Sequence, residues 1–165
     1  MEDYLSSLID SYRAYYDVER VDQGPLRYLA SFHSRSEGYV LVKRANLWSA
    51  DDNEYVMFYT VDRLTEGLLE DLISKSLAHS KELIVPKKGH RSSTVTSIVL
   101  CDSVEPKCVK TVKSYRFHRS FRFTLNGWMD HRLVLLALGD GVFESSRLGK
   151  VPLKNALAVL EKVRK

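Results

Sequence analysis

Apolar residues recur at spacings of three and four near the start of the chain. Leu5, Leu8, Ile9, Tyr12 and Tyr15 or Tyr16 fall on one stripe, which predicts an amphipathic helix over residues 3–16. Asp3 stands where its carboxylate would cap the first turn. Gly24-Pro25 ends any continuation and begins a new element. Strands are predicted at Arg27–Phe32, Gly38–Lys43 and Glu54–Val61. The last is nearly continuous in β-formers, as a strand covered on both faces would be.

A second helix is predicted from Asp62, as N-cap, to His79, with Leu64, Leu68, Leu69, Leu72, Ile73 and Leu77 as its buried stripe. The polar, basic run Lys87–Ser93 reads as a loop. Thr94–Leu100 reads as a strand parallel to the third, because a long helix separates the two. Glu105–Val112 follows as a short helix with Pro106 in its first turn. From Tyr115 to Leu125 the pattern alternates. Tyr115, Phe117, Phe121, Phe123 and Leu125 fall on one face, and Arg116, His118, Ser120 and Arg122 on the other, which predicts one half-buried strand. Asn126-Gly127 is a hairpin signal leading into Arg132–Leu138. Gly139-Asp140-Gly141 turns the chain into Val142–Glu144, and Pro152 opens a last helix.

The order is α-β-β-β-α-β-α-β-β-(β)-α, an α+β class with a mixed β-sheet flanked by helices. No repeat or linker divides it, so residues 1–165 are expected to form a single domain. The start of the chain is acidic and polar, and the longest apolar runs fall short of the roughly 20 residues a bilayer needs. A cytoplasmic protein with no membrane partner is the expectation. The two cysteines, Cys101 and Cys108, have neither metal-ligand nor disulfide-framework spacing. Cys101 ends an apolar run and reads as a small buried hydrophobe.

Charge adds a second pattern. Residues 1–82 carry 9 Lys and Arg against 15 Asp and Glu, whereas residues 83–165 carry 16 against 6. A dipolar surface of this kind would steer an anionic partner or support self-association into a homo-oligomer. Lys107, Lys110, Lys113, Arg116, Arg119 and Arg122 recur every third residue with no acid from 106 to 129. Nucleic-acid affinity comes mainly from Lys and Arg on phosphates. The binding candidates are therefore Lys87, Lys88, His90, Arg91, Arg116, His118 and Arg122, facing nucleic acid or an acidic protein. Against this, aromatics that alternate with the cations belong to the core and cannot stack on bases.

The histidines are scattered, and His131 is placed to pair with its neighbour Asp130. Asp52 and Glu54 lie in an acidic cluster, and Asp102 ends a strand, where ligands often bind in α/β sheets. The competing readings are a turn for the cluster and a helix N-cap for Asp102. Trp128, just after a turn, reads as a core plug, with a contact surface as the alternative. No nucleophile elbow, phosphate-binding loop or dinucleotide fingerprint is present, and neither metal nor cofactor is expected.

Two resemblances follow. The run Lys113–Phe123 with Gly127-Trp128-Met129-Asp130 resembles a small domain family of bacteria and archaea of unknown function. Asn53-Glu54-Tyr55-Val56, His90, Leu100-Cys101-Asp102-Ser103 and Arg147-Leu148-Gly149 extend the likeness over most of the chain. The opening α-β-β-β-α-β order is similar to the core of the restriction-endonuclease-like superfamily. That likeness implies an acid on the second strand and Asp/Glu-x-Lys on the third, holding a divalent metal and the attacking water. Here the third strand reads Glu54-Tyr55-Val56, without the lysine. Glu37 stands only at the start of the second strand, and Glu105-Pro106-Lys107 falls in a helix. A binding module with a basic face for an anionic partner is thus the leading expectation, and an enzyme is not favoured. The alternatives are a degenerate metal-dependent nuclease using Asp52, Glu54 and Asp102, and a self-associating assembly protein.

Overall fold

The computed structural model describes residues 1–38, 48–85, 90–123 and 125–164. Helix α1 (Glu2–Arg13) leads into strands β1 (Asp17–Gln23), β2 (Leu26–Gly38) and β3 (Trp48–Leu64). Helix α2 (Glu66–Leu83), strand β4 (His90–Val104) and helix α3 (Pro106–Ser114) come next. Strands β5 (Phe117–Ser120), β6 (Trp128–Ala137) and β7 (Val142–Ser145), a 3-10 turn at Arg147–Gly149 and helix α4 (Lys150–Val163) complete the order.

The strands form one sheet in the order β1-β2-β3-β4-β6-β5, with β7 also on β6. Strands β1, β2 and β3 are antiparallel, whereas β3, β4 and β6 run parallel. On the far side of β6, β5 pairs with its first half and β7 with its second, both antiparallel. The sheet is mixed and the class is α+β. Among the described residues no helix is long and apolar enough to cross a membrane.

Strand alternation sends side chains to two cores. On one face Leu69 and Leu72 of α2 and Cys108 and Val112 of α3 cover Tyr55, Met57, Val95, Val99, Leu133 and Leu135. On the other, Leu5, Leu8 and Ile9 of α1 and Ala156 and Leu160 of α4 cover Val56, Phe58, Ile98, Leu100, Val134 and Leu136. Burial on both faces explains the continuous apolar runs of β3, β4 and β6. The buried phenol of Tyr4 donates to the Ala156 carbonyl at 2.8 Å and ties α1 to α4. Both cysteines are buried and free, and burial pushes the Cys101 thiol up to about 12.

Several elements differ from the sequence expectations. The first strand, β1, reads Asp-Val-Glu-Arg-Val-Asp-Gln. It is an edge strand with little burial, so it carries no alternating pattern to read. The strand expected at Gly38–Lys43 lies, beyond Gly38, outside the described residues. Helix α2 starts at Glu66, because β3 runs on through Asp62 to Leu64. Its N-cap is Thr65, whose hydroxyl accepts from the Leu68 amide at 3.3 Å.

The largest difference is in the aromatic–basic tract. The strand stops at Ser120, and the chain turns between Phe121 and Gly127, whose ends are joined by hydrogen bonds from the Phe121 amide to the Gly127 carbonyl and from the Asn126 amide to the Phe121 carbonyl. Arg122 and Phe123 adopt φ of 47° and 51° in that turn. Phe117 and Phe121 pack against the α2–α3 core, but Phe123 is 97 % exposed. A period of two persists only as long as the chain stays extended, and Asn126-Gly127 is only the closing corner of a wider turn. Trp128 is half-buried.

Candidate functional site

The α1–α4 face of the sheet is apolar only toward the C-terminal ends of its parallel strands. The row Phe58–Ile98–Val134 lies in the core. The three rows before it are Val56–Thr96–Arg132, Glu54–Thr94–Asp130 and Asp52–Ser92–Trp128. Strand β5 adds His118 beside Asp130. Where the helices end, polar side chains therefore take over the same face.

A cleft of about 390 Å³ opens at this boundary between α1, α4 and the sheet. Tyr12, Tyr16, Glu54, Thr96, Arg132 and Lys162 contribute its chemistry. That volume is within the range of small-molecule pockets. Tyr16, just beyond α1, donates from its phenol to the Glu54 carboxylate at 2.7 Å. Its ring lies 5.2 Å from Tyr12, which in turn stands edge-on to Phe58 at 5.1 Å. Burial, with a further push from Glu54, raises the Tyr12 phenol to about 12, against an opposing pull from Arg132. Burial and the hydrogen bond to Glu54 raise Tyr16 as well. Both phenols are protonated at neutral pH, and that of Tyr16 is a donor to Glu54.

Arg132 is the unbalanced group. One guanidinium nitrogen donates to the Thr94 hydroxyl at 3.2 Å. Its Nε is shielded from solvent and has no hydrogen-bond partner. The acids on this face are engaged elsewhere: Asp130 with His118 at 2.8 Å, Asp52 with Arg91, and Glu54 with Tyr16. No ion pair reaches Arg132 among the described residues. A shielded donor without an acceptor is costly, and the residue itself is half-buried and lines the cleft, where an anion meets its guanidinium.

The other sequence candidates are dispersed. Asp52 accepts from the Arg91 Nε at 2.9 Å and from the Ser92 hydroxyl at 2.6 Å. Asp102 lies at the opposite end of β4, where its carbonyl accepts from the Gly139 and Asp140 amides at 2.9 and 3.0 Å. Eight residues of strand separate it from Thr94, the partner of Glu54, which is about 26 Å at the usual rise. Asp102 therefore cannot share an ion with Asp52 or Glu54. Among the described residues no group of three or more His, Cys, Asp and Glu is placed to hold a metal.

Of the basic candidates, Lys87 and Lys88 lie outside the described residues, as does the side chain of His90. Arg116 donates to the carbonyls of Lys113 and Tyr115 at 3.2 and 2.8 Å. Arg122 is exposed in the turn, whereas Arg119 points to the other face, 5.8 Å from the Phe121 ring. Lys107 and Lys113 pair with Glu66 and Glu144. The fold divides the tract between two faces and neutralises part of it.

His131 does not pair with Asp130, because neighbours on a strand point to opposite faces. It is buried on the α2–α3 side in a chain of hydroxyls. Tyr59, Ser76 and Ser97 follow one another at 2.8 Å, Ser97 meets the His131 Nε2 at 2.9 Å, and Tyr115 meets its Nδ1 at 2.6 Å. Burial lowers the imidazole to about 4, so it is neutral at physiological pH.

Arg132, Tyr12, Tyr16 and Lys162 were not among the sequence candidates. One signal for Arg132 was present. It is a cation on the parity of Val134 and Leu136, at the head of the most apolar strand.

A family described as a domain of unknown function, DUF8052, matches residues 1–155. No curated protein and no solved structure matches the chain.

Proposed function

We propose that this chain, which belongs to the DUF8052 family, is a binding protein whose α1–α4 cleft seats the anionic group of a small ligand on Arg132. The observation that carries the reading is that Arg132 lines the cleft with no acidic partner among the described residues, its neighbouring acids being engaged elsewhere. Guanidinium suits this task because its planar donors match carboxylate and phosphate oxygens. Thr94 fixes one side of the group, and the protonated phenols of Tyr12 and Tyr16 line the approach.

An extended polyanion has less to stand on. Arg91, Lys107 and Lys113 already have acidic partners, Arg116 is bonded to the Lys113 and Tyr115 carbonyls, and Arg119 lies over the Phe121 ring. The metal-dependent nuclease reading has less still, because Asp52 is held by Arg91 and Ser92 and Asp102 is at the far end of β4.

The test is an NMR titration that follows the Arg132 Nε–H resonance on addition of acetate or phosphate, with chloride at matched ionic strength as the control. Saturable shifts in the wild type that vanish in Arg132→Gln are expected. No saturable shift with either anion would defeat the proposal. A response only to short DNA or RNA, with a steep salt dependence, would return the function to a nucleic-acid surface.

A further inference from the structure

We infer that the ligand is a small zwitterion, an amino-carboxylate whose acid end sits on Arg132 and whose ammonium end sits on Glu54. This rests on the anion-binding reading and goes beyond it by naming the other end of the ligand.

Glu54 lines the same cleft as Arg132, yet the two do not form an ion pair. Their backbones are two strands and one pleat repeat apart, with β4 between them, so their Cα atoms are about 12 Å apart at ordinary sheet spacings. The fold thus holds two opposite charges on one concave surface, with a gap between them. Both charges nevertheless act on the same two phenols, since Glu54 and Arg132 push Tyr12 and Tyr16 in opposite directions.

A simple anion entering this space would gain Arg132 but face the charge of Glu54. A simple amine would meet the reverse. A molecule bearing both charges satisfies both, and each end then adds a charge-assisted hydrogen bond. The Glu54 carboxylate has acceptor capacity beyond the one bond from Tyr16. The walls suit an ammonium as well, because aromatic rings attract cations and Tyr12, Tyr15 and Tyr16 line the cleft. Lys162, at the last turn of α4, adds a second cation to the lining, so an additional acid group on the ligand carries no penalty.

The experiment is isothermal titration of the whole chain with glycine, β-alanine, 4-aminobutyrate, glutamate, acetate and methylammonium at matched ionic strength. The series varies the distance between the two charges. At least one amino acid is expected to bind tenfold or more tightly than acetate. Glu54→Gln keeps an amide oxygen for the Tyr16 phenol. It should remove that preference while leaving acetate affinity equal or higher. If every amino acid binds no better than acetate, or if Glu54→Gln retains the preference, the zwitterion inference is wrong and the anion site stands. If acetate and every amino acid fail to bind, both fall together.

Discussion

Tyr16 closes a 2.7 Å hydrogen bond on Glu54, a residue 38 positions further along the chain. The contact sets one wall of the cleft and pins the end of α1 to the middle of the sheet. Tyr16→Phe removes the donor and keeps the ring, which also packs near Phe32. The expected loss of stability is about 1 kcal/mol, the usual net worth of one such bond, read by urea denaturation. No loss would show that the phenol is as well served by water.

The α2 cap separates two neighbouring residues. Thr65→Ala deletes the hydroxyl that accepts from Leu68 and should cost about 1 kcal/mol of stability. Asp62→Ala, in β3, should change stability by less than about 0.5 kcal/mol, as surface substitutions do. Thermal unfolding of the two variants checks the assignment, and the reverse ranking would contradict it.

Two glycines should respond in opposite directions. Gly67 lies in α2 with open space around the position a Cβ would take, so Gly67→Ala should stabilise by about 0.5–1 kcal/mol. At Gly139 a Cβ would stand 2.4 Å from the Asp102 carboxylate and 2.7 Å from its carbonyl oxygen. Gly139→Ala must move β4 or the turn, and should cost about 1–3 kcal/mol. Denaturation midpoints at constant m-value measure both.

The buried imidazole makes stability depend on pH. The folded state holds His131 near 4, below its ordinary value of 6.5, so between these values the unfolded chain binds the proton more readily. The contribution is present in full above pH 6.5 and is lost as pH falls toward 4. Its full size is on the order of 3 kcal/mol. His131→Asn retains hydrogen-bonding groups but does not titrate. The wild type should therefore lose more stability than the variant between pH 7 and pH 4. Equal losses would show that His131 is not what senses acid.

Much of the fold was legible because the apolar pattern follows the covering helices. The leucines of α2, the continuous runs of β3 and β6 and the turn at Gly139–Gly141 all correspond to buried rows or positive-φ corners. The pattern is silent where burial is. Edge strand β1 turns only Val18 and Val21 toward the cores, and Phe123 follows the alternation in sequence but not in space, because the backbone leaves the strand at Ser120. The cleft was the least legible part. Its groups come from α1, β3, β4, β6 and α4, and only strand register brings Glu54, Thr94 and Arg132 to one face. Counting cations along the chain favoured the exposed tract around Arg116–Arg122. The single arginine inside an apolar strand, Arg132, carried the more specific information.

If Arg132 serves a ligand rather than the fold, removing its charge should not weaken the free protein. The unfolding free energy of wild type and Arg132→Met, each with and without saturating acetate, measures this most directly. Replacing a half-buried cation that has no acidic partner by an apolar chain of similar length should leave the free protein at least as stable, by about 0–2 kcal/mol. Acetate should then stabilise the wild type alone, by linkage to the folded state. An Arg132→Met protein several kcal/mol less stable than wild type, with acetate stabilising neither, would mean that the guanidinium is part of the scaffold and the cleft has no anion site.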